Sequence, residues 1–100
     1  MLTMPQYLLV AHDGDAPNAL EKRMEVRPRH FEYARRMKAE GKIIVGGAQL
    51  TDDGKMKGSA VILNFEDENG LQEYLNNEPY ILEGVWASYT ITPFRIADLS

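Results

Sequence analysis

The chain contains no cysteine. That absence excludes disulfide bonds, thiolate nucleophiles and cysteine-ligated zinc. No apolar run approaches the roughly 20 residues that a membrane-spanning helix needs. The first five residues also lack the basic and then apolar pattern of a secretory signal. We therefore expect a cytoplasmic protein with no membrane partner.

Positive charge is also scarce. The chain carries 11 Lys and Arg against 15 Asp and Glu, for a net charge of −4. Nucleic-acid binding needs a cationic surface that neutralises phosphates, so no nucleic-acid partner is expected. Residues 20–42 are the exception, with eight Lys and Arg against four Asp and Glu. This stretch is either a solvated helix face or the anion-attracting wall of a small-molecule site.

Short apolar segments and turn residues predict the order β-α-β-β-α-β. Strands are expected at 6–12, 43–50, 58–66 and 85–94, a long helix from about residue 20 to residue 41, and a short helix at 67–77. This order is typical of a single α+β domain over residues 1–100 with a ferredoxin-like fold, in which two helices cover one face of a four-stranded antiparallel sheet. The other face is expected to pack against a second subunit, giving a homodimer.

The long helix has one interruption. Five apolar residues fall on one side and are expected to point inward: Leu20, Met24, Phe31, Ala34 and Met37. Asn18 is a candidate N-cap, and Gly41 is placed just past the C-terminus. Pro28 removes one helical hydrogen bond, so we expect a kink there or two helical pieces.

Arg23, Arg27 and His30 are spaced by four and three residues, which places them along one side of this helix. A histidine beside two arginines can act as a general acid or base next to an anion clamp. The alternative is a border histidine bonded to a loop carbonyl, with the arginines on the surface.

Glu78-Pro79-Tyr80 follows the short helix directly. The residue before a proline is held in an extended conformation, so the Glu78 carboxylate has a defined direction. It could orient His30 or share its proton. The alternative is an exposed glutamate at a helix-ending turn.

Other chemical signatures are weak. The His12-Asp13-Gly14-Asp15 segment has candidate metal ligands, but its spacing fits turn chemistry better, so no metal is expected. Gly46-Gly47 does not open a helix and predicts a bulge or a close backbone approach rather than a dinucleotide site. Ser59 lacks the surroundings of a nucleophile elbow, so a serine hydrolase is not expected.

Two stretches resemble the YciI-like family. Leu20-Glu21-Lys22-Arg23, then Val26-Arg27-Pro28, then His30 resemble its L-E-K-R, V-R-P and H-L helix. Glu78-Pro79-Tyr80, followed by Gly84-Val85 and Thr92-Pro93-Phe94, resembles its D-P-Y, G-V and P-F run. The likeness covers nearly the whole chain.

The resemblance implies a ferredoxin-like fold that dimerises as an α/β barrel, with a site centred on a His–Asp pair. The histidine corresponds to His30, and Glu78 stands where the family has aspartate. Asp13, which follows the first strand, is the other candidate carboxylate. One relative dechlorinates a chlorinated hydroxyhydroquinone and fold cousins include muconolactone isomerases, which implies small oxygenated ring compounds as substrates.

These observations favour a small enzyme of the lyase or isomerase type. His30 would be the general base, Glu78 or Asp13 would orient it, and Arg27 would hold the substrate anion. Arg23, Ser59 and Tyr80 complete the predicted substrate-binding set. Proton removal beside an anion requires no metal or cofactor. The alternative function is a non-catalytic dimeric domain that binds a small ligand or assists another protein.

Overall fold

A computed structural model describes residues 5–100. Its elements are β1 (Gln6–His12), α1 (Ala19–Ala39), β2 (Ile43–Leu50), β3 (Met56–Asn64), α2 (Glu68–Asn77), α3 (Pro79–Leu82) and β4 (Ser88–Phe94). The strands form one open antiparallel sheet in the order β2-β3-β1-β4. The predicted α+β ferredoxin-like fold is confirmed. The interpretation of the first residues as lacking a secretory signal rests on residues 1–4, which lie outside the described part.

One face of the sheet carries the core. Leu9 and Ala11 of β1 and Val61 and Leu63 of β3 are buried there, and Leu9 lies opposite Val61 in the ladder. Buried residues of all three helices belong to the same cluster: Val26, Tyr33 and Met37 of α1, Leu71 and Tyr74 of α2, and Tyr80 of α3. Because side chains alternate along a strand, the intervening residues point to the opposite face.

The inward side of α1 differs in part from the predicted one. Leu20, Met24 and Phe31 are exposed, whereas Arg23, Val26, Tyr33 and Met37 are buried. The prediction held for Ala34 and Met37, which pack in the core, and was wrong for Leu20, Met24 and Phe31. This helix instead buries two polar positions, Arg23 and the mostly buried His30, that have partners inside the protein.

The ends of α1 follow the predicted positions with one difference. Asn18 is the N-cap residue, but its side chain makes no capping hydrogen bond. Gly41 has φ +78°, and its N–H donates to the Lys38 carbonyl at 3.0 Å, as expected for a glycine just past a helix. Pro28 lies within a single continuous helix, so the alternative of two helical pieces is wrong.

The second half of the chain adds a short helix. Asp67 caps α2 by accepting a hydrogen bond from the Gly70 N–H at 3.0 Å, as predicted. The Glu78-Pro79-Tyr80 turn continues into α3, a helix of four residues that the sequence did not predict. The last strand begins at Ser88 rather than at Val85, because the Trp86 backbone N–H donates to the Tyr80 carbonyl at 3.1 Å instead of to a neighbouring strand. Within residues 5–100 no helix is both long and apolar enough to cross a membrane.

Candidate active site

A cleft of about 500 Å³ separates α1 from the edge of the sheet formed by β2 and β3. The helix contributes Arg23, Arg27, His30 and Phe31, and the strands contribute Gly46 and Ser59, among others. Four Lys and Arg residues line the cleft, and no Asp or Glu is among its lining residues. The cleft is therefore a cationic environment next to a histidine.

His30, in the middle of α1, and Glu78 form a close pair. His30 Nδ1 lies 2.6 Å from Glu78 Oε1, and the two side chains are 12% and 0% exposed. When the Glu78 carboxylate is ionised it can only accept a hydrogen bond, and His30 Nδ1 is then the donor. Nε2 then keeps a free lone pair, and it has no hydrogen-bond partner among the described residues.

Two further donors hold the buried Glu78 carboxylate. Oε1 also accepts from the Tyr80 backbone N–H at 3.0 Å, and Oε2 accepts from the Tyr74 hydroxyl at 3.1 Å. Burial raises the pKa of Tyr74 well above its usual value, and the negative charge of Glu78 raises it further. Tyr74 therefore stays protonated and donates to Glu78 over the whole neutral range.

Aromatic rings fix the plane of the imidazole. The rings of His30 and Tyr80 are stacked, with centroids 3.9 Å apart and an angle of 6° between their planes. Trp86 approaches His30 edge-on at 6.1 Å. Burial raises the pKa of Tyr80, and the charges of Arg23 and Arg27 partly offset this effect. The Tyr80 hydroxyl is buried without a hydrogen-bond partner within the described residues.

Asp13 lies in a separate network centred on Arg23. Arg23 Nη1 is 3.0 Å from both carboxylate oxygens of Asp13, and both side chains are buried. Arg23 Nη2 donates to Ser59 Oγ at 2.9 Å, and Trp86 Nε1 donates to the same oxygen at 3.2 Å. The structure thus places Glu78 next to His30 and Asp13 next to Arg23, so only Glu78 is positioned to orient the imidazole.

The remaining predicted substrate-binding residues differ in access. Arg27 and Ser59 line the cleft, whereas Tyr80 is fully buried beneath His30. The Arg27 guanidinium lies over the Phe31 ring, 4.2 Å from its centroid. Arg23 also lines the cleft, but its charge is already paired with Asp13.

Sequence reasoning missed two residues that support the pair. Tyr74 lies four residues before Glu78, a spacing that brings neighbouring turns together and was a usable signal. Trp86 was assigned to the last strand, so its contact with Ser59 was not expected. Asp13, in the segment 12–15, forms an ion pair with Arg23. Within residues 5–100 no three candidate metal ligands cluster together.

The fold and this site define an α+β domain with a buried His–carboxylate pair, and comparison with known proteins gives the family. The YCII-related domain family matches residues 6–95, and the chain belongs to that family. It is 30% identical over 95 residues to an uncharacterised protein of Haemophilus influenzae, covering 89% of this chain and 95% of that protein. It is also 30% identical over 94 residues to Protein YciI of Escherichia coli O6:H1, covering 88% of this chain and 96% of that protein.

Solved structures show the same fold. The 5-chloro-2-hydroxyhydroquinone dehydrochlorinase of Burkholderia phenoliruptrix AC1100, in complex with 2,5-dihydroxybenzoquinone, superposes with a TM-score of 0.78 at 28% identity. The match covers 92% of this chain and 95% of that one. A protein of Pseudomonas aeruginosa superposes with a TM-score of 0.58 at 16% identity over 97% of this chain and 99% of that one, which supports the fold alone.

Proposed function

We propose that this protein is an enzyme that removes a proton from a small anionic, oxygenated ring compound in a lyase or isomerase reaction. The observation that carries the proposal is the 2.6 Å contact between His30 Nδ1 and the buried Glu78 carboxylate, beside a cationic cleft. A histidine held in this way presents Nε2 as a general base.

The pair can act as a base without a metal. Nε2 takes the proton, and the resulting imidazolium is stabilised by the Glu78 carboxylate at Nδ1, in the way that a carboxylate supports histidine in hydrolase triads. Tyr74 and the Tyr80 N–H both donate to Glu78 and hold its carboxylate in place. The Tyr80 ring stacked on His30 keeps the imidazole plane fixed during the transfer.

Two groups favour negative charge on the ligand. Arg27 supplies a guanidinium on the cleft wall. Ser59 Oγ accepts from both Arg23 and Trp86, so its own hydrogen points away from them and is available to a ligand oxygen. A phenolate or enolate that forms after proton removal would be stabilised by both donors.

The dehydrochlorinase relative suggests the kind of reaction. In such an elimination a base takes a proton, the electron pair moves into the ring, and the leaving group departs as an anion. The balance needs no oxidant or reductant. This chain shares that protein's fold and carries a base next to cationic groups, which supports an elimination or a proton-shift isomerisation on a hydroxylated ring.

The test is turnover of 5-chloro-2-hydroxyhydroquinone and related hydroxyquinones, followed by absorbance and by chloride release. His30→Gln keeps the size and polarity of the side chain but removes the base, so we expect its rate to fall about 10²- to 10⁴-fold. His12→Gln is the matched control, because His12 is exposed at the end of β1 and outside the cleft.

Full activity in His30→Gln would contradict the assignment of the base. If the wild-type protein binds these compounds and converts none of them, the enzyme proposal fails and the non-catalytic ligand-binding function takes its place.

We also propose that the protein is a homodimer that buries the open face of its sheet. Leu8, Val10 and Ile62 lie on this face, and all three are only half-buried in the single chain. Leu8 lies opposite Ile62 in the ladder, so these side chains form a continuous apolar strip across the central strands. A second copy would cover the strip with an identical surface.

A further inference from the structure

The side of α1 that lines the cleft carries a second cationic position, Arg35. We infer that the cleft takes a ligand with two anionic groups, one held by Arg27 beside His30 and the other by Arg35 one turn beyond Phe31. The inference rests on the proposed function, which identifies the first anion. It narrows the substrate class of the proposed enzyme to planar dianions. Arg35 was not among the residues predicted from the sequence to bind a ligand.

Phe31 contacts both guanidinium groups. The Arg27 Cζ atom lies 4.2 Å from the Phe31 ring centroid, and the Arg35 Cζ atom lies 5.6 Å from the same point. The separation of the two Cζ atoms therefore cannot exceed the sum of those distances. Both groups are within reach of one small molecule with an acidic group at each end.

The charges of these two arginines are not neutralised within the protein. No ion pair joins either of them to a carboxylate in the part of the chain that the structure describes. The other two cations of the cleft differ, because Arg23 is paired with Asp13 and Lys38 donates to the Ile44 carbonyl at 2.8 Å. Arg27 and Arg35 are thus the cleft cations whose charges are available to bind an anionic ligand.

The facing wall favours a flat ligand. Gly46 and Gly47 of β2 have no side chain, and Ala48 has only a methyl group. A Cβ atom at Gly46 would lie 3.3 Å from both γ-carbons of Val61, so even a small side chain crowds this position. The strand therefore leaves a low surface opposite the two arginines, on which a ring with acidic groups on opposite sides can lie.

The test compares terephthalate, a planar dianion, with benzoate, its monoanionic counterpart, by isothermal titration calorimetry. We expect the wild-type protein to bind terephthalate more tightly, and Arg35→Gln to weaken terephthalate binding roughly tenfold, the loss typical of one hydrogen bond to a charged group. Benzoate affinity should change less than about twofold in the same variant, because a single anion is held at Arg27.

Arg36→Gln is the matched control. It makes the same change of charge at the next residue of α1, but Arg36 lies over the Tyr33 ring and does not line the cleft. Equal losses in the two variants would show a general charge effect and overturn the inference, as would equal affinity of the wild type for the two probes.

These outcomes are separate from those of the turnover test. Among the described residues, no hydrogen bond or ion pair joins Arg35 to the His30–Glu78 pair. If Arg35→Gln weakens terephthalate binding but the wild type shows no turnover, the two-anion binding site stands and the enzyme proposal fails. Turnover that depends on His30 but not on Arg35 would keep the enzyme and remove the second anion.

Discussion

At the scale of single residues, the site depends on which carboxylate reaches which cation. Arg23 and His30 lie two turns apart on the same side of α1, so either could have met Asp13 or Glu78. Asp13 follows β1, next to the first turns of the helix, and both of its carboxylate oxygens accept from Arg23 Nη1. Glu78 lies between α2 and α3, much later in the chain, and contacts His30.

The sequence could predict the chemical types at the site but not this pairing. The spacing of Arg23, Arg27 and His30 placed them on one helix side, and the proline after Glu78 gave that carboxylate a fixed direction. The choice between Glu78 and Asp13 depends on how α1 lies across the sheet, which is a property of tertiary packing. The role of Tyr74 as a donor to Glu78 depends on the same packing.

The tyrosines around Glu78 predict alkaline sensitivity. Burial raises the pKa of Tyr33 to about 12 and raises the pKa of Tyr74 well above its usual value, so both folded phenols keep their protons after the unfolded ones begin to lose theirs near pH 10.0. The stabilisation that these two groups contribute is fully present below the pKa that they have in the unfolded chain. It is lost as the pH rises toward the pKa that they have in the folded protein. We expect the urea midpoint to fall above about pH 10.

Tyr74→Phe should reduce this fall, since it removes one of the two buried phenols whose pKa is raised. Tyr89→Phe is the control, because that ring is 39% exposed. Identical pH dependence in Tyr74→Phe and the wild type would contradict the assignment of the shift to Tyr74.

At the scale of elements, hydrophobic periodicity gave the order of strands and helices, and polar burial explains its main error. The side of α1 that faces the core includes Arg23 and His30, which a search for apolar stripes passes over. The short helix α3 was also missed, because its four residues are too few to show a period. Its N-terminus is stabilised by the Glu78 side chain, which accepts from the Tyr80 N–H.

The end of α1 offers a test of backbone conformation. Gly41 has φ +78°, and a Cβ atom there would meet no heavy atom within 4 Å. Gly41→Ala should therefore cost about 1 kcal/mol in the free energy of unfolding from backbone strain alone. Urea denaturation measures this difference.

Gly47→Ala is the matched variant, because a Cβ atom at Gly47 also has open space while the residue lacks a positive φ. We expect it to be neutral or slightly stabilising. Equal destabilisation in both variants would show that the left-handed conformation at Gly41 is not the cause.

At the scale of the whole molecule, the helices all lie on one side of a sheet whose other side carries an apolar strip. We expect sedimentation velocity to show a dimer at micromolar concentration, since burial of such a strip stabilises association. Ile62→Lys places a charge in the strip and should shift the protein toward a monomer, with circular dichroism confirming that it remains folded.

Leu82→Lys is the corresponding control, because Leu82 is 61% exposed on α3 and belongs to the helical side. A wild-type monomer at these concentrations would remove the dimer proposal. Dissociation by Leu82→Lys but not by Ile62→Lys would move the interface to the helical side.

The small residues of β2 have a consequence for how this scaffold can diversify. His30 lies on α1 and Glu78 directly before α3, and their neighbours are buried, so changes there disturb the core. The facing strand contributes shape but no ionisable group to the cleft, and it lies at the edge of the sheet. Substitutions at Gly47 or Ala48 should therefore alter which ligand fits the cleft while the His30–Glu78 pair stays intact. A library confined to β2 is the natural starting point for changing which ligands this protein accepts.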